Sequence, residues 1–213
     1  MPSFIRMGLV LMVVGAVATF VLSSLNTVTA PIIAYEIRME TLRALQNVLP
    51  QGYDNDPVED TIMISDRALN KKATPVKVYR ARNGEAPLAA AFMVTAPDGY
   101  SGDIKTLMAV TSDGTVTGIQ VIAHAETPGL GDKIQANISD WPLTFKGKTQ
   151  DNIKWGVKKD GGYFDQFAGA TITPRAVVNS VKRGLDFFMD NREKFFVAAP
   201  VAAPAPQPAQ AAQ

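Results

Sequence analysis

The chain has 213 residues, 21 Lys and Arg against 20 Asp and Glu, no cysteine and a single histidine, His124. A formal net charge of +1 without a clustered basic excess argues against a nucleic-acid partner. The missing cysteines exclude a disulfide framework, an iron–sulfur cluster and a thiolate zinc site, and one histidine cannot build a multi-histidine metal centre. Any redox chemistry must therefore come from a bound organic cofactor.

Residues 7–35 carry no charged side chain. Their apolar core, from Met7 to Leu25, meets the requirement of about 20 residues for crossing a hydrocarbon layer, with backbone groups satisfied inside a helix. Arg6 precedes the run, and Glu36, Arg38, Glu40 and Arg43 follow it in mixed sign. The positive-inside rule then puts the N-terminus in the cytoplasm and the rest of the chain outside. The run exceeds a signal-peptide h-region of about 7–15 residues, which favours an uncleaved anchor over a cleaved leader. The anchor is assigned to residues 1–30.

Ile33, Ile37, Leu42, Leu45 and Val48 are spaced for a helix leaving the membrane, ended by Pro50 and Gly52, so residues 31–52 are read as a juxtamembrane helix. Residues 53–60 are acidic and turn-rich. Strand patterning follows at Val76, Val78 and Tyr79, then over residues 88–95 and 105–111. Asp113-Gly114 marks a hairpin turn into a strand over 116–122. Thr173 is suited to cap a final helix with Pro174 at its first position, and Val177, Val181, Leu185 and Phe188 share one face. This helix is expected to reach about Phe195. Residues 198–213 are a Pro/Ala/Gln tail with no core-forming pattern, read as disordered. The fold class is α+β, with the globular domain over residues 53–197.

Residues 165–174 read Asp-Gln-Phe-Ala-Gly-Ala-Thr-Ile-Thr-Pro, a Gly/Ala-rich loop feeding a helix N-terminus. Such a loop admits close approach of an anion, and the helix amides and macrodipole favour a phosphate there. Taken alone, the segment is first an ordinary capped helix start with Thr171 in the turn. Residues 124–133 read His-Ala-Glu-Thr-Pro-Gly-Leu-Gly-Asp-Lys, a tight loop after a strand. A surface turn with solvated Glu126 and His124 is the plain reading.

Resemblance adds to both segments. Asp165, Gly169, Ala170 and Thr171 resemble the attachment motif of the FMN-binding domain family, in which the final Thr or Ser carries FMN. Ala168 stands where that family usually has Ser or Thr; this removes a hydroxyl and leaves the acceptor intact. The string Glu-Thr-Pro-Gly-Leu-Gly resembles a loop of the G subunits of Rnf (Rsx) electron-transport complexes, with a related loop in the C subunit of the sodium-translocating NADH:quinone reductase. The resemblance implies covalent FMN on Thr171, with Gly169 and Ala170 beside it and flavin contacts from Glu126, Thr127 and Leu130. Residues 99–104, Gly-Tyr-Ser-Gly-Asp-Ile, match the same family, with Tyr100 placed either on the isoalloxazine ring or in turn packing. Trp141 is expected to be a packing residue.

The resemblance further implies an electron-relay subunit in a complex that moves electrons between ferredoxin and NAD, coupled to ion translocation. Its partners would be the other subunits, membrane lipid and a flavin transferase that uses FAD and a divalent metal. It places the chain as a single-pass protein of the bacterial inner membrane with a periplasmic domain. Two alternatives stand beside it: the quinone-reductase C subunit, and a membrane-anchored binding module without redox function. A hydrolase built on His124 with Glu126 or Asp132 lacks a Gly-x-Ser-x-Gly elbow.

Overall fold

The structure is a computed structural model, and it describes residues 2–196. The tail over 198–213 lies outside the described residues. The chain forms two compact units, one ending at Arg43 and the other beginning at Ala44.

The first unit is the bulk of helix α1, Ser3–Val48. Its apolar side chains, among them Phe4, Leu11, Met12, Phe20, Leu22 and Val28, are exposed all round. That pattern suits lipid and leaves no polar face for water. Thr27 and Thr29 donate their hydroxyls to the carbonyls of Ser23 and Leu25 at 2.9 Å, which satisfies them within the helix. The segments read from the sequence as anchor and juxtamembrane helix share one continuous helix, which runs through Pro31 and ends at Val48. A proline there removes one backbone donor.

The second unit is built on a five-stranded antiparallel sheet in the order β1-β2-β3-β4-β5. The strands are β1 (Thr61–Ile64), β2 (Val76–Asn83), β3 (Ala86–Ala96), β4 (Ile104–Thr111) and β5 (Val116–Ala123). Each strand pairs with its sequence neighbour, so alternate side chains face opposite sides. One face packs Ala81, Ala89, Ala91, Leu107 and Ala109 against Leu45, Val48 and Leu49. The small residues there admit a close helix. Thr117 donates to the Val48 carbonyl at 2.6 Å, and a Cβ on Gly118 would stand 3.2 Å from the Val48 Cα.

The opposite face, with Val78, Ala90, Phe92, Val94, Met108 and Val110, receives helix α2 (Ile172–Asp190) through Val177, Val178, Val181, Leu185 and Phe188. The predicted apolar face of the last helix is thus the one that is buried. Gly184 brings α2 down onto β3 and β4, where a Cβ would lie 2.5 Å from Val94 Cγ1. Arg183 also ties α2 to the sheet, donating to the carbonyls of Ala68 and Thr95 at 2.8 Å.

The helix boundaries differ from expectation at both ends. Thr171 takes helical angles (φ −72°, ψ −28°), and the Arg175 amide donates to its carbonyl at 3.3 Å. The helix therefore starts at Ile172, and Thr173 is a buried residue inside its first turn rather than the cap. Pro174 is tolerated because the first amides of a helix have no intrahelical acceptor. At the far end Asn191 breaks the helix, and a short α3 (Arg192–Phe196) returns Phe195 to the core against Phe92 and Phe188. Strand β1 adds an edge to the sheet that the sequence pattern does not announce.

Candidate functional site

Between β5 and α2 the chain folds into irregular segments around an aromatic cluster. Trp141 packs edge-on against Phe145 and Phe167, with ring centroids 5.1 and 5.4 Å apart, and its indole N–H donates to the Asp165 carbonyl at 2.8 Å. It is a packing residue, as expected, and it pins the loop that leads into α2. Phe167 and Ala170 close a tight turn, with the Ala170 amide donating to the Phe167 carbonyl at 3.1 Å. Gly169 takes φ +77° within it, a left-handed conformation that favours glycine. The turn delivers Thr171 to the mouth of α2.

Thr171 occupies the N-cap position, yet its side chain makes no capping hydrogen bond. Threonine at this position ordinarily accepts from an amide of the first turn. Here the hydroxyl is uncommitted, and the amides of Ile172 and Thr173 open the helix beside it. That is the local geometry of an anion site at a helix N-terminus.

In front of Thr171 lies a cleft of about 290 Å³ lined by Tyr100, Glu126, Thr127, Leu130, Gly131, Gly169, Ala170, Thr171, Ile172 and Thr173. Its volume stands at the lower end of typical small-molecule pockets of roughly 300–1,000 Å³. All the site residues expected from the sequence meet here. Tyr100 comes from the β3–β4 connection, Glu126, Thr127 and Leu130 from the loop after β5, and Gly169, Ala170 and Thr171 from the turn before α2. Tyr100, Leu130 and Ile172 are exposed and give the rim an apolar character.

Glu126 forms the polar base. It is only 5% exposed. One carboxylate oxygen accepts from the Ser101 amide at 3.0 Å, and the other accepts from the Thr173 hydroxyl. Two glycines make room for it. A Cβ on Gly99 would lie 2.8 Å from Oε1, and one on Gly131 would lie 2.9 Å from Oε2. Sequence reasoning does not reach Ser101, Gly131, Ile172 and Thr173 as site residues. Ser101 and Thr173 sit inside the quoted motifs, but their meeting on Glu126 is a tertiary contact that no local spacing announces.

The charged groups flanking the turn before α2 are paired with one another. Lys158 binds Asp165 at 2.6 Å. Arg175 binds Asp160 at 2.6 and 2.9 Å. The hydrogen bonds from Arg175 hold the Asp160 carboxyl below its ordinary range, and the same bonds raise Arg175. Glu126 is the one charged side chain among the described residues lining the cleft. His124 does not line it; its Nδ1 accepts from the Glu126 amide at 3.0 Å, a backbone role that occupies that nitrogen.

The cleft thus combines an uncommitted hydroxyl, the first amides of a helix and an apolar rim, groups able to meet an anion and an apolar surface. Residues 99–186 match the FMN-binding domain family, a span that holds every lining residue of the cleft. The chain belongs to the family of G subunits of ion-translocating oxidoreductase complexes. It is 47% identical to the G subunit of Yersinia pestis over 83% of this chain and 86% of that one. It is 48% identical to that of Pseudoalteromonas atlantica over 76% and 78%. With that of Vibrio cholerae the identity is 41% over 88% and 91%. The crystal structure of NqrC from Shewanella oneidensis is a more distant neighbour, with 23% identity, a TM-score of 0.41 and coverage of 72% of this chain and 71% of that one.

Proposed function

We propose that this protein is an electron-relay subunit that carries FMN as a phosphoester on Thr171, within a membrane complex that moves electrons between ferredoxin and NAD coupled to ion translocation. The observation that carries this reading is the free Thr171 hydroxyl at the head of α2, opening into the cleft. FMN, when bound, supplies the capacity to take up and release electrons. The chain's own residues do the rest. Thr171 would hold the phosphate, and the amides of Ile172 and Thr173 would face its charge. Tyr100, Leu130 and Ile172 offer apolar surface to a flat ring. Thr127 stands on the cleft wall with a hydroxyl for hydrogen bonding.

Attachment is assigned to a separate flavin transferase using FAD and a divalent metal. The Thr171 oxygen would form the new bond to phosphorus, AMP would leave, and the hydroxyl proton would pass to solvent. No base of this chain contacts the Thr171 hydroxyl among the described residues, in keeping with an external catalyst. Helix α1 would span the bacterial inner membrane once, N-terminus inside, holding the domain on the periplasmic side among the other subunits and lipid. Arg6 before the apolar run supports that orientation.

The direct test is flavin fluorescence of the chain after denaturing electrophoresis, using protein from membranes of a cell that has the transferase. The wild-type band fluoresces and Thr171→Ala does not. A colourless wild-type band from such a cell overturns the relay reading in favour of a binding module. Co-purifying subunits then separate this assignment from the quinone-reductase C subunit.

A further inference from the structure

Glu126 poses a physical question that cofactor attachment leaves unanswered. Its carboxylate is withdrawn from water, and both oxygens are met by neutral donors, the Ser101 amide and the Thr173 hydroxyl. No lysine or arginine pairs with it among the described residues. Burying a carboxylate without a cation is costly. The hydrogen bonds alone do not require the charge. A glutamine could accept from Ser101 through its carbonyl and donate to the Thr173 oxygen through its amide.

What a carboxylate can add beyond these bonds is a negative charge in the wall of the cleft. The cleft's lining includes no lysine or arginine to offset it, and the nearby Lys158 and Arg175 are engaged by Asp165 and Asp160. Charges act more strongly where protein replaces water. Resting on the reading of this cleft as the FMN site, each electron delivered to the ring adds one negative charge unless a proton follows. A buried carboxylate in the wall opposes that gain. We propose that Glu126 sets the bound flavin at a low reduction potential through its charge, with Ser101 and Thr173 as positioning residues that hold the carboxylate toward the cleft. A low potential suits a carrier that must pass electrons on rather than retain them.

The test is a spectroscopic redox titration of the full-length, FMN-loaded protein in detergent, with dithionite as the electron donor. It compares wild type with Glu126→Gln, which removes the charge and keeps the hydrogen bonds. The variant should move the oxidised–reduced equilibrium at least tenfold toward reduced flavin, a rise of about 59 mV for a one-electron couple.

A Glu126→Gln protein that carries FMN and titrates within threefold of wild type overturns the inference, all the more if its melting temperature falls, since Glu126 would then be a structural latch alone. A Glu126→Gln protein that fails to take up FMN beside a loaded wild type also overturns it, since Glu126 then serves loading and not the potential. Wild-type protein without flavin would instead defeat the underlying assignment of the cleft.

Discussion

The hydroxyl of Thr173 donates to a carboxylate oxygen of Glu126, 47 positions earlier in the chain, in a buried contact. The other oxygen of that carboxylate accepts from the Ser101 amide. One side chain therefore joins the β3–β4 connection, the loop after β5 and the first turn of α2. The uncommitted Thr171 is presented two residues upstream of that junction. Under the proposed function, positioning falls to Thr173 and acceptance to Thr171, two threonines on one helix turn.

This division predicts opposite outcomes for the two threonines. Thr171→Ala should abolish flavin attachment and cost less than about 0.5 kcal/mol of stability, below the typical loss of ~1 kcal/mol for a working cap, because no cap bond is lost. Thr173→Val should retain the acceptor but leave a buried carboxylate oxygen unsatisfied, at about 1–3 kcal/mol. Urea denaturation of the two apo proteins beside wild type checks both figures.

Gly131→Ala should damage the same junction by steric means. Its backbone, at φ −85° and ψ −20°, accepts alanine without strain. The new Cβ would stand 2.9 Å from both Glu126 Oε2 and Thr173 Oγ1. A loss of about 1–3 kcal/mol is expected, typical of overpacking, together with reduced flavin loading at equal expression. Denaturation and the flavin-to-protein absorbance ratio report the two effects.

Gly184→Ala should reverse the usual sign of a glycine-to-alanine change in a helix. Alanine normally gains about 0.5–1 kcal/mol there. At this position the Cβ would lie 2.5 Å from Val94 Cγ1 and 2.8 Å from Met108 Sδ. The variant should be destabilised by about 1–3 kcal/mol, seen as a lower melting temperature.

Burial raises the pKa of Tyr79 above its ordinary 10.0. The unfolded chain then gives up this proton at lower pH than the folded one. The contribution to stability is fully present below about pH 10 and is lost as pH rises through the folded value. Tyr79→Phe should flatten this part of the alkaline decline. Melting temperatures from pH 8 to 11, with ultraviolet titration of tyrosine, measure it.

Much of this arrangement is legible in the sequence because its signals are local. Period-two patterning marks β2 to β5, and the 3.6-residue spacing of Val177, Val181, Leu185 and Phe188 marks the buried face of α2. Gly and Pro punctuate the loops that converge on the cleft. Strand β1 is not legible because four residues hold too short an alternation and depend on pairing with β2. The start of α2 is misleading because a Thr-Pro pair matches the cap-and-proline pattern, whereas the burial of Thr173 against Glu126 sets its actual role. The continuity of α1 through Pro31 is likewise hidden, since a proline commonly marks a helix boundary.

The proposed flavin attachment is a single bond to Thr171, and peptide mass measures it directly. The chain would be purified from its native membrane, in a cell that makes the flavin transferase, and digested beside the Thr171→Ala variant. The peptide containing Thr171 is expected to carry the added mass of FMN less water, with fragmentation placing it on Thr171 rather than Thr173, and the variant is expected to lack it. An unmodified wild-type peptide, or a modification that persists in Thr171→Ala, would rule out attachment at Thr171.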